Sequence, residues 1–133
     1  MKPFHLEIVT PDGAVFDGEA ESLLVHTDDG DAEILAGHAD YFASVATGRA
    51  RILTSQGERL ASCSGGFLSV NKAAVKLVAI TFEFADEIDV QRARLAKERA
   101  ELAIEKARDE RDVRVARAKL ARAMSRINIA ERR

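Results

Sequence analysis

Both prolines and all eight glycines of this 133-residue chain lie within its first 66 positions. Glycine supplies the backbone angles of tight turns and proline breaks helices, so this distribution calls for two unlike parts. The first must be short elements joined by turns; the second is free to be helix. Charge divides the same way. Residues 1–85 carry 6 basic and 12 acidic side chains, whereas residues 86–133 carry 14 and 10. The whole-chain balance of −2 therefore averages an acidic body and a basic tail.

Several classes drop out on composition. Apolar stretches are only a few residues long, against the ~20 that a membrane-spanning helix needs. The opening Met1-Lys2-Pro3-Phe4-His5 has neither the apolar core of a secretory signal nor a transit pattern, which predicts a cytoplasmic setting. One cysteine, Cys63, makes no internal disulfide and no cysteine-based zinc site, and is expected to be a small buried strand residue. With no tryptophan, the core is predicted to be aliphatic.

The first 85 residues read as strands separated by turn signals. Phe4, Leu6 and Ile8 alternate with more polar neighbours, Thr10-Pro11-Asp12-Gly13 is a turn, and Ala14–Phe16 starts a second run. Further runs are Glu21–Thr27, Ala32–Leu35, Phe42–Ala46, Arg49–Thr54, Arg59–Ser64, Phe67–Val70 and Ala73–Thr81, divided by Gly30, Gly37, Gly48, Gly57 and Gly65-Gly66. The prediction is an all-β sandwich or flattened barrel of about eight to ten strands, antiparallel, over residues 1–85.

Residues 86–133 contain no Gly or Pro and are rich in Ala, Arg, Glu and Leu. Ala93, Ala96, Ala100, Ala103 and Ala107 draw a seam down one helical face with Ile88, Leu95 and Leu102 beside it; Val113, Ala116, Leu120, Ala123, Ile127 and Ala130 draw a second. Between them Arg108-Asp109-Glu110-Arg111-Asp112 offers a core nothing apolar. The tail is predicted to be a two-helix hairpin turning near residues 109–112, with Asp112 as a helix cap. One continuous helix is the alternative, since no breaker forbids it.

Phe4-His5-Leu6-Glu7-Ile8-Val9-Thr10-Pro11-Asp12, Phe16-Asp17-Gly18-Glu19-Ala20-Glu21-Ser22-Leu23, Gly37-His38-Ala39, Ser64-Gly65-Gly66-Phe67-Leu68-Ser69-Val70 and Ile88-Asp89-Val90-Gln91-Arg92-Ala93 follow one another along the whole chain. In that order they resemble the epsilon subunit of the bacterial rotary ATP synthase. The resemblance implies a non-catalytic rotor part at the cytoplasmic face of the cell membrane, reaching the membrane only through the complex. Its partners would be the gamma subunit and the c-ring, with the alpha and beta subunits when the tail is extended. It would carry ion-driven c-ring rotation toward ATP synthesis and use the tail to inhibit ATP hydrolysis. A loop with Asp31, Glu33, Gly37, His38 and Asp40 would face the c-ring and gamma. Ala36 and Asp40 stand where the family has prolines, which predicts a looser loop.

Spacing adds a ligand expectation. Asp89, Arg92 and Arg99 on one helix and Arg122 and Arg126 on the other would converge in a closed hairpin, with Glu83 nearby. Guanidinium forks suit phosphate oxygens, and Asp89 suits a ribose or adenine donor. The Ile88-Asp89-x-x-Arg92-Ala93 string resembles the family's ATP-binding signature. No cofactor is required; regulatory, non-hydrolysed ATP is the expected ligand, and an ordinary solvated helix face is the alternative. In the extended state Arg108, Arg111, Arg114, Arg117, Lys119 and Arg122 would meet an acidic segment of beta.

Competing classes fit less well. His5, His26 and His38 lie on separate segments without ligand spacing, and Ser64 lacks the elbow of a nucleophile. The tail has no aromatic residue for stacking on nucleic acid. The remaining alternative is a free-standing β-sandwich adaptor with a helical-hairpin tail.

Overall fold

A computed structural model describes residues 2–72 and 74–132; Ala73, the first residue of one predicted run, lies outside the described residues. Nine strands and two helices follow in order: β1 Phe4–Thr10, β2 Gly13–Ala20, β3 Ser22–Thr27, β4 Gly30–Ile34, β5 Tyr41–Thr54, β6 Gly57–Ser64, β7 Phe67–Asn71, β8 Ala74–Val78, β9 Thr81–Phe84, α1 Val90–Lys106 and α2 Glu110–Glu131. A 3-10 turn, Ala85–Glu87, joins the two parts.

Three hairpins share one turn chemistry. In Thr10-Pro11-Asp12-Gly13, Thr27-Asp28-Asp29-Gly30 and Thr54-Ser55-Gln56-Gly57 the threonine Oγ1 accepts from the backbone N–H two residues on and donates to the glycine carbonyl. The glycines have φ of +121°, +114° and +121°, a region that side chains with a Cβ avoid. These turns are local, so the sequence marks the first as a turn and the other two by their glycines.

The strands form two sheets joined by β5. Its first part, Tyr41–Ser44, pairs with β7, while its later part pairs with β3 and β6. One sheet thus runs β2-β1-β8-β7 and the other holds β4, β3, β6 and β9. The two predicted runs on either side of Gly48 are therefore one strand. Gly48 is not a divider: a Cβ there would stand 2.9 Å from His26 Cβ, so glycine serves close approach. The run from Ala73 to Thr81 divides instead, because the chain changes sheets at Ala79-Ile80. The pairing is also not wholly antiparallel. β1 and β8 run parallel, which the long intervening chain permits.

Between the sheets lie Leu6, Ile8, Leu23, Ile34, Ile52, Leu68 and Leu77, all fully buried, with Phe4, Phe82 and Phe84 as the aromatic members of the core. Cys63 is buried here, and burial pushes its thiol up to about 12.

The tail is the predicted hairpin, but its turn is Ala107–Asp109. Asp109, not Asp112, caps α2: its Oδ1 accepts from the Asp112 N–H at 2.8 Å. Asp89 caps α1 in the same way, accepting from the Arg92 N–H at 3.1 Å. Burial is narrower than the seams suggested. Ala93 and Ala100 on α1 and Ala116, Ala123 and Ala130 on α2 are buried, a spacing of seven residues, whereas Ala103 is exposed and Leu95 and Leu102 are 51% and 53% exposed. The reason is that α1 packs on one neighbour, α2, so only one stripe is covered. The second helix is the middle layer. Ser125 Oγ shares a 2.8 Å hydrogen bond with Ser62 Oγ of β6, and Ile129 and Ala130 pack with Ala85 and Ile88.

Candidate functional site

Where the hairpin meets the sandwich, a cavity of about 600 Å³ opens to solvent. The β1–β2 turn contributes Thr10 and Asp12, and the β8–β9 corner contributes Ile80, Thr81, Phe82 and Glu83. Glu87, Ile88, Asp89, Arg92, Ala93, Ala96 and Arg99 form the wall from the 3-10 turn through α1, and Arg126 reaches in from α2. The structure thus brings Glu83, Ile88, Asp89, Arg92, Ala93, Arg99 and Arg126 together. Arg122 does not line the cavity; it sits half-buried, four residues before Arg126 on α2.

Local structure accounts for these positions. The Asp89 cap starts α1 at Val90, so Arg92 and Arg99, seven residues apart, share a helical face. Glu83 stands on β9, and Arg126 Nε donates to its Oε1, so this pair clasps α2 to the sandwich. Asp89 has one carboxylate oxygen committed to the α1 cap. Among the described residues, the guanidiniums of Arg92 and Arg99 have no ion-pair partner, nor do the carboxylates of Asp12 and Glu87. Two open cationic forks and two open acceptors line one concave space. That chemistry suits a ligand with an anionic end and a donor-bearing end.

The sequence does not single out Asp12, Ile80 or Glu87 as site residues. Asp12 was read only as part of a turn, and Ile80 as part of a strand run; about 70 residues separate them, and nothing local announces that they meet.

The remaining predicted sites are dispersed. Asp31 and Glu33 stand on β4 rather than in the following loop. His26 Nδ1–H donates to Asp31 Oδ1 at 2.9 Å and Arg49 lies 3.6 Å from Oδ2, and the His26 hydrogen bond holds the Asp31 carboxyl below its ordinary range. Ser22 Oγ donates to Glu33 Oε1 at 3.0 Å. Gly37, at φ +81°, His38 and Asp40 do share the loop. Asp40 Oδ1 accepts from the Lys72 N–H at 3.1 Å, a brace to the β7–β8 turn. His5 pairs with Asp17 at 3.0 Å, so the three histidines occupy separate places. Arg108, Arg111, Arg114, Arg117 and Lys119 are all exposed around the hairpin turn and the start of α2.

Both parts of the chain match described families. A family model for "ATP synthase, Delta/Epsilon chain, beta-sandwich domain" matches residues 3–85, and one for "ATP synthase, Delta/Epsilon chain, long alpha-helix domain" matches residues 86–131. The chain belongs to the ATP synthase delta/epsilon family. Among relatives of this delta/epsilon family, the ATP synthase epsilon chain of Bacillus velezensis is 40% identical over 130 residues, 98% of each chain. That of Halalkalibacterium halodurans is 37% identical over 133 residues, 99% of this chain and 100% of its own. The sodium ion specific epsilon chain of Propionigenium modestum is 35% identical over 131 residues, 98% of this chain and 96% of its own.

Two solved assemblies contain the same fold. The match in the Euglena gracilis mitochondrial ATP synthase (OSCP/F1/c-ring) has a TM-score of 0.79 at 21% identity, covering 92% of this chain and 78% of that one. The match in the Tetrahymena thermophila mitochondrial central stalk and c-ring has a TM-score of 0.60 at 12% identity, covering 96% and 93%. At those identities they establish fold alone. As a delta/epsilon-family chain the protein is a non-catalytic part of the synthase, and ATP synthesis and ion transport belong to the complex. The free-standing adaptor is set aside by the match along both domains. No helix among the described residues is long and apolar enough to cross a membrane.

Proposed function

We propose that this chain is a two-state subunit of the central stalk. Its sandwich docks on gamma and the c-ring at the cytoplasmic face of the membrane, and its hairpin regulates ATP hydrolysis. The loop with Gly37, His38 and Asp40 meets the c-ring. A nucleotide, ATP foremost, binds the cavity without being hydrolysed and favours the folded-down tail. When the tail extends beside gamma toward alpha and beta, Arg108, Arg111, Arg114, Arg117 and Lys119 meet acidic surface on beta. Those contacts are exposed, so inhibition weakens as salt rises.

The observation that carries this reading is the cavity itself, whose walls come from the sandwich, α1 and α2 together. It exists only while the hairpin is down, so a ligand there stabilises that state alone. The energies are matched. An alanine methyl contributes about 0.8 kcal/mol on burial, so the narrow stripe on α1 leaves the helix separable. A ligand at 100 times its dissociation constant contributes about 2.7 kcal/mol, enough to bias the balance.

Isothermal titration of the chain with ATP is expected to show binding at or below millimolar concentration; no heat at millimolar ATP ends the nucleotide reading. In the assembled synthase, deleting residues 87–133 is expected to raise the rate of ATP hydrolysis. An unchanged rate would remove the inhibitory role and leave the coupling role standing.

A further inference from the structure

The cavity has two chemically different walls. On α1 are Arg92 and Arg99, the open guanidiniums. On the sandwich side are Ile80, apolar yet 62% exposed, and Asp12, whose carboxylate has no partner among the described residues. The turn does not need this acid. Asp12 contributes only its backbone N–H, which donates to Thr10 Oγ1 at 3.2 Å. In the third turn of the same kind Gln56 occupies the equivalent place and donates from its own backbone N–H in the same way. The Asp12 side chain is therefore free for another use at the cavity edge.

A carboxylate there repels a wholly anionic ligand such as polyphosphate and favours one that brings hydrogen-bond donors. We propose that Asp12 is a ligand-recognising residue of this cavity. It accepts a hydrogen bond from an amino or hydroxyl group of a nucleotide's base-and-sugar half, which lies on Ile80, while the phosphates lie on Arg92 and Arg99. The proposal rests on the nucleotide reading and extends it to the sandwich wall. It also has a mechanical consequence. Because α1 packs on α2, a ligand held at Asp12 and Arg92 ties α1 to the sandwich directly.

The test is titration calorimetry on the full chain with ATP and, separately, with inorganic tripolyphosphate, comparing wild type, Asp12→Ala and Asp12→Asn. Losing a hydrogen bond to a charged acceptor is expected to weaken ATP binding by Asp12→Ala about tenfold or more. Tripolyphosphate binding is expected to stay the same or tighten, and Asp12→Asn, which keeps an acceptor, to fall between. An equal change for both ligands, or unchanged ATP affinity, overturns the proposal while leaving the nucleotide reading intact. The loss is expected to persist with magnesium chelated; a loss seen only with magnesium assigns Asp12 to a cation and overturns the donor contact. If wild type binds no ATP, the nucleotide reading fails and takes this proposal with it. Asp12 is exposed and its side chain is outside the turn's hydrogen bonds, so circular dichroism of both variants is expected to match wild type.

Discussion

Gly66→Ala is expected to cost more than about 4 kcal/mol, or to leave no folded protein, in urea denaturation followed by circular dichroism. Two independent penalties combine there. Gly66 has φ +100°, where a side chain with a Cβ is strained by about 1–3 kcal/mol. A Cβ at that place would also stand 1.8 Å from the Val78 carbonyl oxygen, inside any contact distance. Relief by rotation is closed off, because the obstacle is backbone and the chain there crosses between sheets. The β6-to-β7 crossing at Gly65-Gly66 passes against the β8-to-β9 crossing at Ala79-Ile80, where Ile80 N–H donates to Ser64 O at 3.1 Å. Val45 N–H also donates to Gly66 O at 2.9 Å, so moving Gly66 disturbs β5 as well. Gly57→Ala separates the two penalties. Its φ is +121° but a Cβ there meets nothing within 4 Å, so only the backbone strain is expected. Equal losses in the two variants would refute the steric account.

Ala123→Leu is expected to open the hairpin while leaving the sandwich folded. Ala123 is 1% exposed and stands in the alanine stripe, where the helices approach through methyl groups. Overpacking such a site costs about 1–3 kcal/mol, which is about a 5- to 150-fold fall in the ratio of folded-down to open hairpin. Amide hydrogen exchange checks this: α1 protection falls while β3 and β5 keep theirs. Affinity for ATP falls in proportion to the closed population, because Arg92 and Arg99 are brought to Glu83 only in the closed form. Leu102→Ala is the control. That leucine is 53% exposed, so its truncation is expected to change little. Unaltered α1 protection in Ala123→Leu would mean that the stripe does not hold the hairpin.

Much of the candidate site was legible because its residues are helix-periodic. Asp89, Arg92 and Arg99 follow from one cap and the turn of one helix, and Arg126 from the neighbouring helix. Glu83 was legible by its nearness to the tail. Asp12 and Ile80 were not, since only sheet pairing carries the first turn and the β8–β9 corner to the same cavity. Arg122 has a helical spacing from Arg126, yet of the two only Arg126 lines the cavity. Asp112 and Asp109 differ by three positions, and both fit a cap pattern; the observed hydrogen bond decides for Asp109.

By itself the sequence determined the division into a punctuated acidic body and an unbroken basic tail. It also determined the Thr10–Gly13 turn, the dividing glycines 30 and 57, and two alanine seams at helical spacing, while a hairpin and one continuous helix both stayed open. Each rests on short-range physics: glycine at positive φ, an acidic cap, and side chains repeating at helical spacing. Tertiary structure alone decided that β5 passes through Gly48 into both sheets, that β1 and β8 lie parallel, and that the chain divides at Ala79-Ile80 without a glycine or proline. It also decided that Asp12 and Arg92 line the same cavity. Those outcomes depend on contacts between residues far apart in the chain, where no local preference discriminates and the packing of one sheet on another does.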